Sequence, residues 1–263
     1  MTKVCIVTGG TSGIGLACAR LLSDAGYRVY TISRRKAELS FAQSLCADVT
    51  DEQAIREAFE QVYKTEGSLD LVVCCAGFGI SGALEFTEQT DAKRQMDVNL
   101  FGIDNAAKAA VPLMRKQGRG KLIFISSVAG VVSIPFQGWY SVSKAAINAY
   151  TLALGNELRD FGISVCAVMP GDIRTGFTAA RKKSEIGDEI YSGRISRSVS
   201  HMEKDELSGM PPEAVAKRVV RLAKQTHPKP LSSVGISYKA ICCLVKLLPA
   251  RLVNRIVFWL YCK

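Results

Sequence analysis

Short apolar runs alternate with longer amphipathic segments along the chain. The apolar runs predict strands over 3–8, 28–33, 69–74, 120–126 and 163–169. The segments between them predict helices over 13–25, 52–64, 91–117 and 140–161. Runs such as VCIV, LDLVV and KLIFI are apolar on both faces of the strand, which is typical of strands covered by helices on each side.

This alternation predicts an α/β fold with a Rossmann-like, doubly wound parallel sheet flanked by helices on both faces. No internal repeat or low-complexity linker divides the sequence. We therefore predict one NAD(P)-binding domain that spans residues 1–263.

Two segments depart from the alternation. Residues 177–212 are polar and charged, and loops longer than about 12–15 residues are usually functional, so we interpret this segment as a substrate lid. Residues 236–263 form an apolar, basic C-terminal tail that Pro249 splits into two short pieces. Neither piece has the roughly 18 apolar residues of a membrane-spanning helix. The tail is expected to pack on the protein, or to make peripheral contact with a membrane.

Composition narrows the class of protein. The chain has 263 residues, of which 48% are hydrophobic and 22% charged, as in a globular protein. Its formal charge of +10 favours an anionic cofactor, a membrane surface or nucleic acid. Because the basic residues are scattered rather than grouped with aromatic residues, we predict no nucleic-acid partner.

Cysteine and histidine usage indicates neither zinc nor a secreted protein. The nine cysteines include no CxxC motif, and only two histidines are present, so no metal site is predicted. The N-terminus, MTKVCIVTGG, lacks the apolar core of a signal peptide, which favours a cytoplasmic protein with reduced thiols. His201 and His227 are expected in loops.

A glycine-rich turn, TGGTSGIG, follows the first predicted strand and opens the first helix. Gly9, Gly13 and Gly15 permit a tight turn, and the helix N-terminus offers N–H donors to a phosphate. A lone turn of this kind is weak evidence, but its strand–turn–helix context predicts a dinucleotide site.

The TGxxxGxG spacing resembles that of the short-chain dehydrogenase/reductase family, and further motifs follow in order. They are ADVT with Asp48, CCAG in place of the family's NNAG, VNLFG with Asn99, ISSVAG with Ser127, YSVSK with Tyr140 and Lys144, and PGDIRT. Ser127 lies thirteen residues before Tyr140, the usual separation in the family. The cysteines of CCAG retain main-chain contacts but not the side-chain hydrogen bonds of the two asparagines.

The resemblance assigns the cofactor contacts and the catalytic residues. The cofactor-binding residues are Gly9, Thr11, Ser12, Gly13, Ile14, Gly15, Ser33, Arg34, Asp48, Val49, Ala76, Gly77, Tyr140, Lys144, Pro170, Gly171, Ile173 and Thr175. The catalytic residues are Asn99, Ser127, Tyr140 and Lys144. Asp48 is expected at the adenine, and PGDIRT at the nicotinamide carboxamide.

The end of the second strand favours NADP over NAD. An acidic residue there would accept bonds from the ribose hydroxyls of NAD. This chain has Ser33 followed by Arg34 and Arg35, and arginine pairs well with a phosphate. NAD, with both arginines solvated, is the alternative. The short connection to Asp48 predicts a reduced or missing crossover helix.

Tyr140 and Lys144 lie one helical turn apart, and this spacing alone is common on protein surfaces. A nearby ammonium would lower the phenol's pKa from about 10 and allow proton exchange with a substrate oxygen. The resemblance implies that Ser127, rather than Ser126, orients the substrate, and that Asn99 holds a relay water. Asn99 as a structural amide and Lys144 as a surface lysine are the plain alternatives.

The predicted function is NADP(H)-dependent interconversion of a hydroxyl and a carbonyl on a hydrophobic substrate such as a steroid or another lipid. The expected pocket wall is apolar: Val131, Val132, Ile134, Pro135, Phe136, Trp139 and Phe177. The basic run 181–183 is interpreted as solvated. The alternatives are a non-catalytic NADP sensor, or an NAD-dependent dehydrogenase of a small polar alcohol or sugar. A homodimer or homotetramer is implied by the resemblance only.

Overall fold

A computed structural model describes residues 2–263. The first elements are β1 (Val4–Thr8), α1 (Gly13–Asp24), β2 (Arg28–Ser33), β3 (Gln43–Cys46), α2 (Glu52–Glu66) and β4 (Leu71–Cys74). The central elements are β5 (Ile80–Ser81), α3 (Gln89–Met96), α4 (Gly102–Lys116), β6 (Gly120–Ile125), α5 (Gly138–Glu157) and β7 (Ile163–Met169). The last are α6 (Phe177–Ala180), β8 (Lys182–Lys183), α7 (Arg194–Ser208), α8 (Pro212–Lys224), β9 (Leu231–Ser233), α9 (Ile236–Leu247) and α10 (Ala250–Tyr261).

Seven parallel strands form the central sheet in the order β3-β2-β1-β4-β6-β7-β9. The chain moves outward from β1 to β3, then returns past β1 to build the other half. Ligands of such sheets bind in the crevice at this reversal, beyond the carboxyl ends of the strands. The predicted doubly wound fold in a single domain is confirmed.

Two apolar layers hold the helices on the sheet. Alternate residues of β1 enter opposite layers: Val4 and Ile6 face one side, and Cys5 and Val7 face the other. The first layer packs under α2, α4 and α5, and the second under α1 and α8. Because both faces of the strands are buried, they are apolar throughout, as the sequence indicated.

The structure differs from the predicted elements in several places. Strands β3 and β9 were not predicted, because both are short and rich in polar residues. No helix joins β2 to β3, which confirms the reduced crossover. The helix predicted over 91–117 is interrupted by a π-helical turn at Asp97–Phe101.

The segment 177–212 is structured rather than a loop. Strand β8 pairs with β5, and α7 buries Ile195, Val199 and Met202 against Phe136. The prediction that His201 lies in a loop is wrong, because it belongs to α7; this helix has an apolar face despite its many charges.

The tail forms two short helices on the surface. Cys242 is the buried residue of α9, and Val257 that of α10. Helix α9 rests against Met169, and Tyr261 at the end of α10 packs with the apolar cluster under the lid. Within 2–263, none of the helices combines the length and apolar character needed to cross a membrane.

Candidate active site

The glycine-rich turn is shaped for close main-chain approach. Gly9 has φ of +66°, and a Cβ there would lie 2.8 Å from the amide nitrogen of Ala76. A Cβ on Gly15 would lie 2.1 Å from the carbonyl oxygen of Gly9. Gly13 has φ of +50° and faces Thr175, so the turn and the PGDIRT segment meet. The turn therefore fits the close approach of a diphosphate.

The predicted adenosine contacts lie at the ends of β2 and β3. The Thr11 hydroxyl donates to Ser33 Oγ at 3.2 Å, which fixes the hydroxyl at the strand end. Arg34 is exposed beside it. The carboxylate of Asp48 accepts bonds from Thr50 N at 3.0 Å and Thr50 Oγ1 at 2.9 Å. These groups lie at the carboxyl ends of β2 and β3, and their contact with adenosine stays a prediction.

The other residues predicted to lie near the adenosine and the diphosphate differ in their surroundings. Ser12 precedes α1 without capping it through its side chain, and Ile14 packs into the layer under α1. Val49 is buried, and its carbonyl accepts a bond from Asn105 Nδ2 at 2.9 Å. Arg35 is exposed, like Arg34.

The CCAG segment replaces amide side chains with thiols while keeping its main-chain contacts. Cys75 N donates to Thr8 O at 3.1 Å, which continues the pairing of β4 with β1. Gly77 brings its main chain against Asn99 and Lys144: a Cβ there would lie 3.1 Å from Asn99 Oδ1 and 3.8 Å from Lys144 Nζ. Burial raises the pKa of the Cys74 thiol, so it behaves as a packing residue.

The PGDIRT segment closes the crevice beyond β7. Pro170 O accepts bonds from Val128 N at 2.9 Å and from Ser127 Oγ at 3.4 Å. Ile173 is buried and forms a bridge with Met210, and Thr175 Oγ1 accepts a bond from Phe177 N at 3.2 Å.

A residue that the sequence did not single out supports the same segment. The ring of Tyr238 fills the space beside Gly171, where any Cβ would collide with it. Its hydroxyl accepts a bond from Asp172 N at 3.1 Å and donates to the Asp172 carboxylate. The C-terminal tail thus supports the PGDIRT turn, and no local pattern connects residues so far apart in sequence.

Asn99 lies in the π-helical turn and is fully buried. Its Oδ1 accepts a bond from Phe78 N, and its Nδ2 donates to Phe78 O and to Ser143 Oγ, each at 3.0 Å. The side chain therefore fastens the segment after β4 to α5. The Asn99 side chain therefore acts as a structural amide, which was the alternative given for this residue.

The two serines after β6 point to different partners. The Ser126 hydroxyl donates to Lys144 O at 3.0 Å inside the core. The Ser127 hydroxyl accepts from Ala129 N at 3.1 Å and lies beside Pro170, at the carboxyl end of the sheet. The preference for Ser127 over Ser126 agrees with this arrangement.

Lys144 is buried and anchored by the main chain. It is 6% exposed, and its Nζ donates to Ile125 O at 2.9 Å and lies 5.5 Å from the centroid of the Tyr140 ring. Burial lowers the pKa of Lys144 to about 8. Among the ion pairs of residues 2–263, none involves this lysine. The surface-lysine alternative is therefore wrong.

Tyr140 lies between the ammonium and the lid. Its ring is 5.6 Å from that of Phe177, centroid to centroid. Burial of the phenol raises the pKa of Tyr140 to about 12, and hydrogen bonding to Ser127 acts in the opposite direction. We expected Lys144 to lower this pKa, whereas removal from water has the larger effect in this structure.

The basic run of the lid is divided. Lys182 and Lys183 are exposed and pair with Asp91 and Glu203. Arg181, in contrast, is 4% exposed and pairs with Glu206, so its interpretation as a solvated charge is wrong. Glu206 belongs to the lid helix α7 and lies 25 residues after Arg181 in the sequence.

No site for a metal ion is found in the part of the chain that the structure covers, 2–263, where no three His, Cys, Asp or Glu side chains cluster suitably. The groups at the carboxyl ends of the strands are a phenol, a buried ammonium and a hydroxyl. Such a set can orient a carbonyl and deliver a proton to it.

Comparison with known proteins identifies the family. A family model described as short chain dehydrogenase matches residues 3–186. The 3-ketodihydrosphingosine reductase of Bacteroides thetaiotaomicron is 39% identical over 236 residues, which cover 89% of this chain and 88% of the relative. A short-chain dehydrogenase of Streptomyces avermitilis superposes with a TM-score of 0.84 at 27% identity, over 97% of this chain and 96% of that one.

A second solved structure carries a cofactor. The structure of ElxO with NADP bound has a TM-score of 0.73 at 28% identity, and covers 91% of this chain and 100% of that one. These findings agree with the arrangement of Tyr140, Lys144 and Ser127. The chain belongs to the short-chain dehydrogenase family of oxidoreductases.

Proposed function

We propose that this protein reduces a ketone on a hydrophobic, lipid-like substrate to an alcohol, with NADPH as the cofactor and Tyr140 as the proton donor. The observation that carries the proposal is the buried Lys144, which is 5.5 Å from the Tyr140 ring and is held by a main-chain carbonyl. A buried lysine without a carboxylate partner is costly and is typical of functional sites.

The residues have separate tasks in this scheme. NADPH, when bound, supplies the hydride. Ser127 donates a hydrogen bond to the substrate oxygen as negative charge develops there. Tyr140 then transfers its proton to that oxygen, a favourable transfer because an alkoxide is a stronger base than a phenolate.

The pKa of Tyr140 suits the role of proton donor. With a pKa raised to about 12, the phenol is protonated at neutral pH and ready to donate.

Lys144 and Asn99 return the proton to Tyr140. The ammonium of Lys144 lies beside the phenol ring and stabilises the phenolate that forms during the reaction. The Asn99 side chain is occupied by Phe78 and Ser143, so a relay water would be held by its main-chain carbonyl.

NADP preference is proposed from the end of β2. Ser33 is fixed by Thr11, and the exposed Arg34 next to it can pair with a 2′-phosphate. The similarity to ElxO, solved with NADP bound, supports this choice. In titrations with both cofactors, Arg34→Ala should weaken NADPH binding far more than NADH binding, with Arg35→Ala as the matched control. Equal losses for both cofactors would favour NAD.

The substrate is proposed from the lid side of the site. Phe136 and Ala83 face Ile195, Val199 and Met202 of α7 and form an apolar wall. A relative that is 39% identical is a 3-ketodihydrosphingosine reductase, which supports a long-chain ketone over a steroid.

The experiment is a substrate panel followed by NADPH absorbance. Long-chain ketones, steroid ketones and sugars are compared for the purified protein. We expect the highest kcat/KM for a long-chain ketone. Turnover of a polar sugar alcohol with NAD, or NADPH binding without turnover of any carbonyl, would contradict the proposal and favour one of the alternatives.

Peripheral membrane contact is proposed for the tail. Leu247 is 81% exposed and Leu260 is 60% exposed, and both belong to a set of exposed apolar residues on α9 and α10: Ile236, Ile241, Leu244, Leu247, Leu252, Ile256, Phe258, Trp259 and Leu260. Residues 236–263 carry five basic residues and no acidic one. Such a surface suits an anionic bilayer, whereas a second copy of the same tail would be repelled.

Vesicle sedimentation tests this contact. The protein should bind vesicles with phosphatidylglycerol more than vesicles of phosphatidylcholine alone, and added salt should weaken binding. Leu260→Ser should reduce binding, while Leu207→Ser, at a similarly exposed leucine of the lid, serves as the control. Equal binding by both variants would contradict a docked tail.

Self-association and a reducing compartment complete the proposal. Val142 and Leu152 on α5 are exposed and, with Phe101, offer an apolar face for a homodimer or homotetramer. Light scattering of wild type and Leu152→Glu would test it, with loss of the assembly expected. All nine cysteines are free thiols, which supports the expectation of a cytoplasmic protein.

A further inference from the structure

Arg181 is a buried arginine beside the catalytic tyrosine. Its side chain is wholly shielded from solvent. One terminal nitrogen, Nη2, pairs with Glu206, whose other oxygen accepts a bond from Thr178 Oγ1 at 2.6 Å. With the Gln137 amide oriented so that donors meet acceptors, its oxygen faces the guanidinium and accepts bonds from Nη2 at 2.9 Å and from Nε at 3.2 Å.

The second terminal nitrogen of this guanidinium is unused. Nη1 is buried and makes no hydrogen bond to any group of residues 2–263. Buried donors, and charged ones above all, nearly always have a partner, because an unsatisfied one is costly. An unsatisfied, buried cationic donor near Tyr140 therefore points to a contact with a ligand.

The guanidinium lies on the lid side of the phenol. Its central carbon is 5.6 Å from the centroid of the Phe177 ring, and that ring is 5.6 Å from the Tyr140 ring. Gly79 packs closely against both side chains: a Cβ there would lie 2.9 Å from Phe177 and 3.6 Å from Arg181 Nε. The charge of Arg181 lowers the pKa of Tyr140, and that of Glu206 raises it, as expected for neighbours.

Charge balance defines the ligand group. Glu206 already neutralises Arg181, so a carboxylate or phosphate of the substrate would add an unpaired buried charge. A neutral oxygen, such as a hydroxyl, needs only the free N–H of Nη1. The apolar wall under α7 would take the remaining hydrocarbon chain.

We propose that Arg181 is a specificity-determining residue whose Nη1 donates a hydrogen bond to a neutral oxygen substituent near the carbonyl that is reduced, such as a hydroxyl on the β carbon. This inference rests on the proposed reduction of a lipid ketone and narrows its substrate to ketones with a nearby hydroxyl.

The test compares two long-chain ketones that differ only by a hydroxyl on the carbon β to the carbonyl. Wild type should prefer the hydroxylated ketone by about tenfold to a hundredfold in kcat/KM, because a site built to bond a hydroxyl disfavours the analogue without it. Arg181→Met should lose this preference, so that its kcat/KM values for the two ketones become equal. Lys182→Met, at the exposed neighbour, should behave as wild type.

The Arg181→Met protein could unfold because the substitution leaves Glu206 unpaired, and a second variant addresses this case. Arg181→Met/Glu206→Gln removes both charges, and its NADPH affinity reports folding. Equal losses on both ketones would show that the arginine only fastens the lid. Equal kcat/KM of wild type for both ketones would overturn the inference while the proposed function stands. Absence of NADPH-dependent reduction of either ketone would instead contradict the proposed function.

Discussion

The cofactor half and the lid-and-tail half of this molecule are built by different means. In the first, main-chain groups make the functional contacts: Gly9 against Ala76, and Ile125 O holding Lys144. In the second, side chains far apart in sequence meet, as in Arg181 with Glu206 and Tyr238 with Asp172. The sheet thus positions the residues proposed for catalysis, whereas the added helices carry the residues proposed to select the substrate.

The largest difference in kcat is expected between alanine variants of the two serines after β6. Ser127→Ala should lower kcat about 10²- to 10³-fold, because it removes a donor to the developing alkoxide. Ser126→Ala should leave kcat near wild type and lower the free energy of unfolding by about 1 kcal/mol, since its hydroxyl bonds to Lys144 O. Steady-state kinetics and urea unfolding measure both. Equal losses of kcat would mean that the assignment of roles is wrong.

A glycine in each half gives the next comparison. Gly9→Ala places a Cβ against Ala76 at a positive φ, and should raise the Kd for NADPH about tenfold to a hundredfold. Gly176→Ala, at φ of −67° with open space around it, should leave the Kd unchanged. Calorimetric titration distinguishes them. A normal Kd for the Gly9 variant would contradict the close approach in this turn.

The pH profile probes the buried lysine. In the proposed mechanism the protonated form of Lys144 is the active one, so kcat/KM for reduction should be level near pH 6–7 and fall about tenfold per unit above its pKa of about 8. The residual activity of Lys144→Arg should lack this fall, since a guanidinium remains charged. A falling limb near pH 8 in both proteins would assign it to another group.

The smallest effect concerns the tail. Tyr238→Phe removes the hydroxyl that bonds to Asp172, and should raise the KM for NADPH a few-fold, about 1 kcal/mol or less. Tyr261→Phe is the matched control, because its ring packs on His201 and its hydroxyl makes no hydrogen bond to another side chain of residues 2–263. An equal effect of both substitutions would mean that the tail does not support the PGDIRT segment.

Much of the cofactor half could be predicted because its signals are local. A buried strand, a glycine turn and a helix occupy adjacent residues, and the motifs from TGGTSGIG to PGDIRT recur at fixed spacing. The short strands β3 and β9 were missed for the opposite reason. Their residues, QSLC and LSS, have little apolar pattern, and pairing with longer neighbours stabilises them.

The lid was only partly predictable. Helix α7 has a usable signal in Ile195, Val199 and Met202, spaced for one helical face, although its charges obscure it. The burial of Arg181 has no local signal, because Glu206 and Gln137 reach it through the fold. The upward shift of the Tyr140 pKa could not be predicted from the sequence either, because it depends on how much water the surrounding elements exclude.

The most direct test of proton donation by Tyr140 is a single turnover of the enzyme–NADPH complex mixed with a long-chain ketone, for wild type and Tyr140→Phe. We predict that the variant binds NADPH as wild type does and reduces the ketone about 10²- to 10⁴-fold more slowly. Reduction by Tyr140→Phe at the wild-type rate would contradict proton donation by Tyr140.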